Sequence, residues 1–363
     1  CVLELLLQFN LMLNEAVVFN RAMGKGDVMD RLTVDPLCRV ITPYHWILNR
    51  IREKARGIDR HGSCGMGIGE VRHFQEMSWP TIVAGEIADY DRTLIKLREI
   101  RSLAFREAEQ RTVEDRKWIA AEHSKTVAEF YQGFSKRMRL LPAYELQRQL
   151  RKCISVFEGA QGILLDENYG FAPYNSWTNT TAKNAKRILT DASIPHTTIG
   201  IVRTYFTRHG PGPFVSECEP TIEDRHNGTG QWQGRFRTGL FDLPALRYSL
   251  RCAGGIEEIG LTHVDQVGRV FKYVDAYKMP DGHVVKEVGE LRTPCQASDL
   301  EGAVPIIKEK RIEGDNLVSS AFQELIGLPI KYVSWGETAR EKASLEEVES
   351  RQYGETDDRS REI

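Results

Sequence analysis

The stretch CISVFEGAQGILLD, Cys153 to Asp166, runs an apolar segment into a pair of glycines. Ile154 to Phe157 reads as an apolar strand, and Gly159 and Gly162 bracket Gln161 in the turn after it. In open α/β sheets, ligands sit in the crevice beyond the strand ends. Glycines let the backbone approach such a ligand, and the Gln161 carboxamide can both donate and accept hydrogen bonds. Gly-x-x-Gly is also common in ordinary strand-to-helix turns. The spacing alone leaves both readings open.

Upstream, Leu5 to Met23 has helical apolar spacing and stops at Gly24-Lys25-Gly26. An extended stretch, Arg39 to Pro43, leads into a helix carrying Trp46, Ile47 and Ile51, and then into the glycine-dense loop HGSCGMGIGE, His61 to Glu70. Residues 91–152 are rich in Glu, Arg, Leu and Ala, with proline only at Pro142, which predicts a helical block. Downstream, short β-branched or aromatic runs predict strands at Cys153 to Phe157, Thr198 to Phe206, Ile259 to Val264, Val270 to Met279 and Lys331 to Ser334. Met279-Pro280-Asp281-Gly282 predicts a hairpin turn. The whole reads as α/β, with a mixed, mainly parallel central sheet flanked by helices. Residues 337–363 are charged and read as a polar tail.

Composition narrows the function. The 363 residues carry 49 basic and 51 acidic side chains, so no positive excess points to a nucleic-acid polymer or an anionic membrane. Seven cysteines show no CxxC pair and no zinc-like spacing, which predicts a reduced, cytoplasmic setting. The apolar run from Val2 to Leu7 is too short to span a bilayer. The chain opens on Cys1 in what reads as the middle of a packed element, the expectation being an N-terminal truncation. Gly24-Lys25-Gly26 follows a helix rather than a strand and lacks a Ser/Thr for Mg²⁺, so it is not read as a phosphate loop. His61, His196, His226 and His283 lie in turns or polar runs and read as surface residues.

Beyond Asp166 the run continues through Asn168-Tyr169-Gly170, Pro173-Tyr174 and Asn179-Thr180-Thr181. Together these resemble the adenylosuccinate synthetase family, whose FEGAQGxLLD is followed by a YG or HG pair, PY and NTT. IVRTYFTRHGPGPF (Ile201 to Phe214) resembles its KAYxTRVGxGPF loop, and GRFRTGLFD (Gly234 to Asp242) its arginine-rich loop. LTHVD (Leu261 to Asp265) is similar to its LTKLD strand end, and YKMPDG and YVSWG to its late hairpin and final nucleotide loop. The resemblance runs from about His45 to Gly336. It implies a P-loop-NTPase-like ligase domain over residues 1–336.

Such an enzyme joins IMP and L-aspartate while splitting GTP. GTP phosphorylates the purine 6-oxygen, otherwise a poor leaving group, and the aspartate amine displaces that phosphate from the 6-phosphoryl intermediate. The resemblance implies that Gln161, Ser176, Ser63, Cys64 and Arg235 bind IMP, with Ser63 and nearby N–H groups forming an anion nest. It gives aspartate to Thr229, Gly230, Gln233, Gly234 and Arg235. GTP falls to Arg237, His263, Asp265, Ser334 and Gly336. Asp265 would accept from guanine N1–H and the 2-amino group, a pairing adenine does not offer. The chain departs from the pattern at Gln231-Trp232-Gln233, where threonines are usual, at His263 for a lysine, at Cys64 for a threonine and at Trp335 for a threonine.

The family's catalytic aspartate, in a GDEGKG loop that also serves Mg²⁺, and its catalytic histidine, in an NAGH segment, have no counterparts in the 363 residues. They are expected before Cys1, no catalytic residue is assigned here, and these residues alone are expected to have negligible synthetase activity. A homodimer is implied, with Arg72 a candidate for the arginine that crosses into the partner's IMP site. Two alternatives stay open: a phage-type relative that adds aspartate to dGMP, and a nucleotide-binding relative without catalysis.

Overall fold

The computed structural model describes residues 6–7, 9–24, 26–108, 117, 119, 123–218, 227–312 and 318–347. Lys25, His226, residues 109–116 and the tail from 348 onward lie outside the described residues. The described part is α/β, in two compact units. One comprises residues 1–160, 176–195 and 230–233; the other comprises 161–175, 196–229 and 234–363.

The first unit is mostly helical. Phe9–Met23 forms a helix, but Leu6–Leu7 pairs as a strand with Arg39–Val40 instead of extending that helix. Thr42 starts the helix Pro43–Arg56, its N–H donating to His45 Nδ1 at 3.1 Å, and Gly57 ends it. Asp89 caps Tyr90–Glu107 by accepting from the Arg92 N–H. The helices Ser124–Ser135 and Ala143–Leu150 come next. The expected block over 91–152 is therefore not purely helical: Arg139–Leu140 is a strand paired with Thr33–Val34. Tyr44, Leu48, Phe74, Leu97 and Ile100 are fully buried in this unit's core.

The second unit holds a four-stranded sheet. Glu258–Thr262 lies between Ile199–Arg203 and Ile330–Ser334, parallel to both, and Lys342–Ser344 adds an antiparallel edge. The expected tail boundary at 337 thus falls inside ordered structure, because Lys342–Ser344 completes that sheet. A second sheet pairs Val270–Lys278 with Val304–Arg311 and Val284–Val285. The hairpin turn forms as read: the Gly282 N–H donates to the Met279 carbonyl, with Gly282 at φ 92°.

One strand is absent where the sequence predicts it. Cys153 to Phe157 has no strand structure, and Ile154 and Val156 are 99% and 91% exposed. A strand needs a neighbour for its N–H and C=O groups and a cover for its apolar face. Among the described residues, no strand pairs with this one.

Candidate functional site

In the second unit, the parallel sheet places several of the candidate nucleotide residues at one end. Thr262 is level with Arg203 on one side and with Ser334 on the other, so the turns leaving these strands emerge side by side. That is the carboxyl end of the strands, where open α/β sheets receive ligands. His263 turns the chain with φ 61°, a conformation rare outside glycine. Thr204 holds it there, its hydroxyl donating to the His263 carbonyl at 2.7 Å and its N–H to the Thr262 carbonyl. The short turn Val264–Gln266 then presents Asp265 as an exposed carboxylate.

The neighbouring loop is equally tied. Ser334 donates to the Gly336 carbonyl at 3.1 Å, and the Trp335 N–H donates to the Glu341 carbonyl. The Lys342 ammonium gathers the carbonyls of Gly336, Glu337 and Thr338. His263, Asp265, Ser334 and Gly336 thereby share one sheet end.

Arg235 and Arg237 flank Phe236 at the start of the strand Phe236–Gly239, which is antiparallel to Phe206–His209. Both guanidinium groups meet Glu217. Arg235 donates to Oε1 at 3.0 Å; Arg237 donates to Oε1 at 3.0 Å and to Oε2 at 2.5 Å. Hydrogen bonds from Arg237, with its charge and that of Arg235, hold the Glu217 carboxyl below the usual carboxylate range. Arg237 also donates to the carbonyls of Gly210 and Gly212, so much of its capacity goes to fixing the HGPGPF turn. Arg235, 60% exposed, is the more available to a ligand. Arg208 is buried beneath this turn and donates to the carbonyls of Pro211 and Tyr174. Burial, with a contribution from nearby Arg237, pushes it down to about 10.

Gln161 adopts φ 64° and is exposed. The chain just beyond it is firmly tied: Asp166 is buried and accepts from the Asn168 N–H, while the Asn175 side chain donates to the carbonyls of Asp166 and Glu167. Of the remaining candidates in this unit, Thr229 is exposed and Gly234 has φ 91°.

In the first unit, the glycine loop is closed over an internal carboxylate. Glu53, nearly fully buried, accepts from the N–H groups of Gly62 at 3.0 Å and Ser63 at 3.3 Å and is ion-paired with Arg56. The expected anion nest is therefore filled at those two donors by the protein itself. The Ser63 hydroxyl donates to Asn49 at 2.8 Å and accepts from the Gly65 N–H, while the Cys64 side chain is exposed. Ser176 exchanges a hydrogen bond with Thr178 at 2.8 Å, and the intervening Trp177 carbonyl accepts from Arg72 Nε at 3.1 Å. Arg72 thus sits beside the hydroxyl pair of its own chain. Gly230 and Gln233 are half-buried in this unit, on either side of the turn that carries Trp232.

Sequence reasoning passed over Glu53, Glu217 and Arg50, whose Nε donates to the Gly65 carbonyl at 3.1 Å. An acidic residue close in sequence to a basic or glycine-rich loop is the one signal that points to the first two. Among the described residues no group of three or more His, Cys, Asp or Glu side chains could hold a metal ion, and no helix is long and apolar enough to cross a membrane.

Known proteins are similar to this chain in sequence and in fold. The chain is 28% identical over 350 residues to an adenylosuccinate synthetase of Haemophilus ducreyi, covering 85% of this chain and 75% of that protein. It is 29% identical over 350 residues to that of Francisella tularensis subsp. mediasiatica, covering 89% and 78%. Among solved structures, the fold matches fully ligated adenylosuccinate synthetase from Plasmodium falciparum with TM-score 0.70 at 19% identity, over 91% of this chain and 82% of that one. A weaker match, TM-score 0.52 at 15% identity over 93% and 74%, is the succinoaminodeoxyadenylate synthetase of cyanophage S-2L, bound to dGMP and dATP as an energy donor. The family profile described as adenylosuccinate synthetase covers residues 4–342, and the chain belongs to that family.

Proposed function

We propose that this protein ligates L-aspartate to IMP at the expense of GTP, giving adenylosuccinate, GDP and phosphate. The observation that carries the reading is the sheet end where His263, Asp265, Ser334 and Gly336 meet, in a chain whose family membership spans nearly its whole length. Asp265 is exposed there and offers an acceptor-only carboxylate to guanine N1–H and the 2-amino group. Adenine presents no such donor pair, so the site favours GTP over ATP.

Gln161, Ser176, Ser63 and Cys64 are assigned to IMP. Arg235 bridges IMP and aspartate, because an exposed guanidinium grips a carboxylate at two points. Thr229, Gly230, Gln233 and Gly234 shape the aspartate loop, and Arg237 serves GTP while holding the 210–212 turn. Mg²⁺, if carried on the GTP phosphates, would neutralise part of their charge. No described residue is assigned to it. The protein acts as a cytoplasmic homodimer; the six cysteines among the described residues are free thiols, consistent with a reducing compartment.

The gene-encoded protein, given IMP, L-aspartate, GTP and Mg²⁺, should release adenylosuccinate and phosphate in equal amounts, and competition between IMP and dGMP should favour IMP. A preference for dGMP would transfer the assignment to the phage-type reaction, the reading that the departures around Trp232 keep in play. Asp265→Asn should weaken GTP binding by roughly 10- to 100-fold, the range of hydrogen bonds to a charged group, and leave IMP binding intact. Calorimetric titration of each nucleotide separates the two effects.

A further inference from the structure

Trp232 lies in the loop assigned above to aspartate, so this inference rests on that assignment. The loop has glycines at 228, 230 and 234, and residues 231–233 form a turn between bridge residues at 230 and 234. Trp232 supplies an anchor. Its ring lies over Gly65: a Cβ built on that glycine would come within 2.7 Å of the indole Cγ. Gly65 also has φ 74°, so backbone and neighbour alike call for glycine there.

The other side of the seat is Arg50, whose guanidinium lies 5.1 Å from the Trp232 ring and 4.2 Å from the Trp46 ring. Trp46 and Arg50 are one turn apart on Pro43–Arg56, which puts them on the same face. Arg50 Nε donates to the Gly65 carbonyl at 3.1 Å, which holds the guanidinium between the two indoles. Lys54, one turn further on, brings its ammonium to 6.0 Å from the Trp232 ring. Two cations and the Gly65 seat therefore meet one indole, a concentration well beyond what a solvated loop needs.

We propose that Trp232 is a positioning residue for the amino-acid substrate: seated over Gly65 and against Arg50, it holds Gly230–Gln233 in the shape that receives a dicarboxylic amino acid. The flanking glycines give the loop its path and the indole fixes it. A threonine at this position offers neither the ring area nor the π face for Arg50.

The test titrates L-aspartate into the IMP-saturated, gene-encoded protein and follows amide hydrogen exchange across residues 230–234 without ligand. Trp232→Ala should weaken aspartate about tenfold, the scale of a cation–π contact, leave IMP affinity unchanged and speed exchange in the loop. Trp232→Phe, which keeps a π face, should recover most of the affinity. Gly65→Ala should weaken aspartate as the alanine variant does, by unseating the ring. Equal losses for IMP and aspartate would reduce Trp232 to a structural residue and overturn the proposal, as would unchanged aspartate binding in Trp232→Ala. A wild-type protein that binds IMP but no aspartate would sink the assignment of the loop itself, and the proposal with it.

Discussion

The segment Cys153–Phe157 and the strand Glu258–Thr262 are both short apolar runs that end at candidate nucleotide residues, and they meet opposite fates. Glu258–Thr262 is paired on both sides, with Ile259 and Leu261 fully buried. Cys153–Phe157 pairs with no strand among the described residues and leaves Ile154 and Val156 almost wholly exposed. The two are alike in length, and the unpaired run Cys153–Phe157 is the richer in apolar residues, so neither length nor apolar content decides the outcome. The difference is a neighbour on each edge: backbone N–H and C=O groups need partners, and an apolar face needs something to cover it.

Truncating one apolar side chain in each run gives the largest contrast. Leu261→Ala removes a fully buried side chain from the sheet core and should cost about 2–5 kcal/mol in urea-induced unfolding. Ile154→Ala removes one that is 99% exposed and should change stability by less than about 0.5 kcal/mol. A large loss at Ile154 would mean that the run is covered in solution, and the contrast between the two runs would vanish.

A second prediction concerns the polar group buried beside this core. Asp242 caps the helix Leu243–Ala253 through the Ala245 N–H at 3.1 Å and accepts from the Tyr277 hydroxyl at 2.6 Å. Burial nevertheless raises its carboxyl from 3.8 to about 6. Between those values the folded protein keeps a proton that the unfolded chain has released, so stability falls as pH rises through this window and levels off above it. The fall is on the order of 3 kcal/mol. Asp242→Asn keeps a capping oxygen and removes the titration, so the difference between wild-type and variant urea midpoints should change across the window and be flat above it. A constant difference would show that the Asp242 carboxyl is not raised.

The turns of the fold were more legible in the sequence than its tertiary contacts. Met279–Gly282 forms the predicted hairpin turn because Pro, Asp and Gly specify it locally. The strand end at Leu261–Asp265 was visible as an apolar run stopped by polar residues. The family motifs located Gln161 and the two arginines without giving their partners. Glu53 reaches the glycine loop across nine residues and Glu217 reaches Arg237 across twenty, and neither spacing has a periodic signature. Nor does anything near Trp232 in sequence mark Arg50 as its seat. The chain shows which residues are chemically able to bind, and the fold decides which of their donors are already taken.

Glu217 permits the finest test of that distinction, with the smallest effect. Its side chain is 27% exposed, and an ion pair so close to solvent contributes about 0.2–1 kcal/mol. Glu217→Gln should therefore lower stability only slightly, and mainly above pH 4.5: the native carboxyl is depressed, so its contribution is present above the unfolded value and lost as pH falls through the folded one. Arg237 keeps the Gly210 and Gly212 carbonyls, so the 210–212 turn should hold. Arg235, by contrast, is relieved of a carboxylate that competes with any ligand carboxylate for the same guanidinium. Aspartate affinity should rise a few-fold, roughly the worth of one exposed ion pair, with IMP affinity less affected. A fall in aspartate affinity would show instead that Glu217 orients Arg235 for the ligand, because losing a competitor and losing a support move calorimetric affinity in opposite directions.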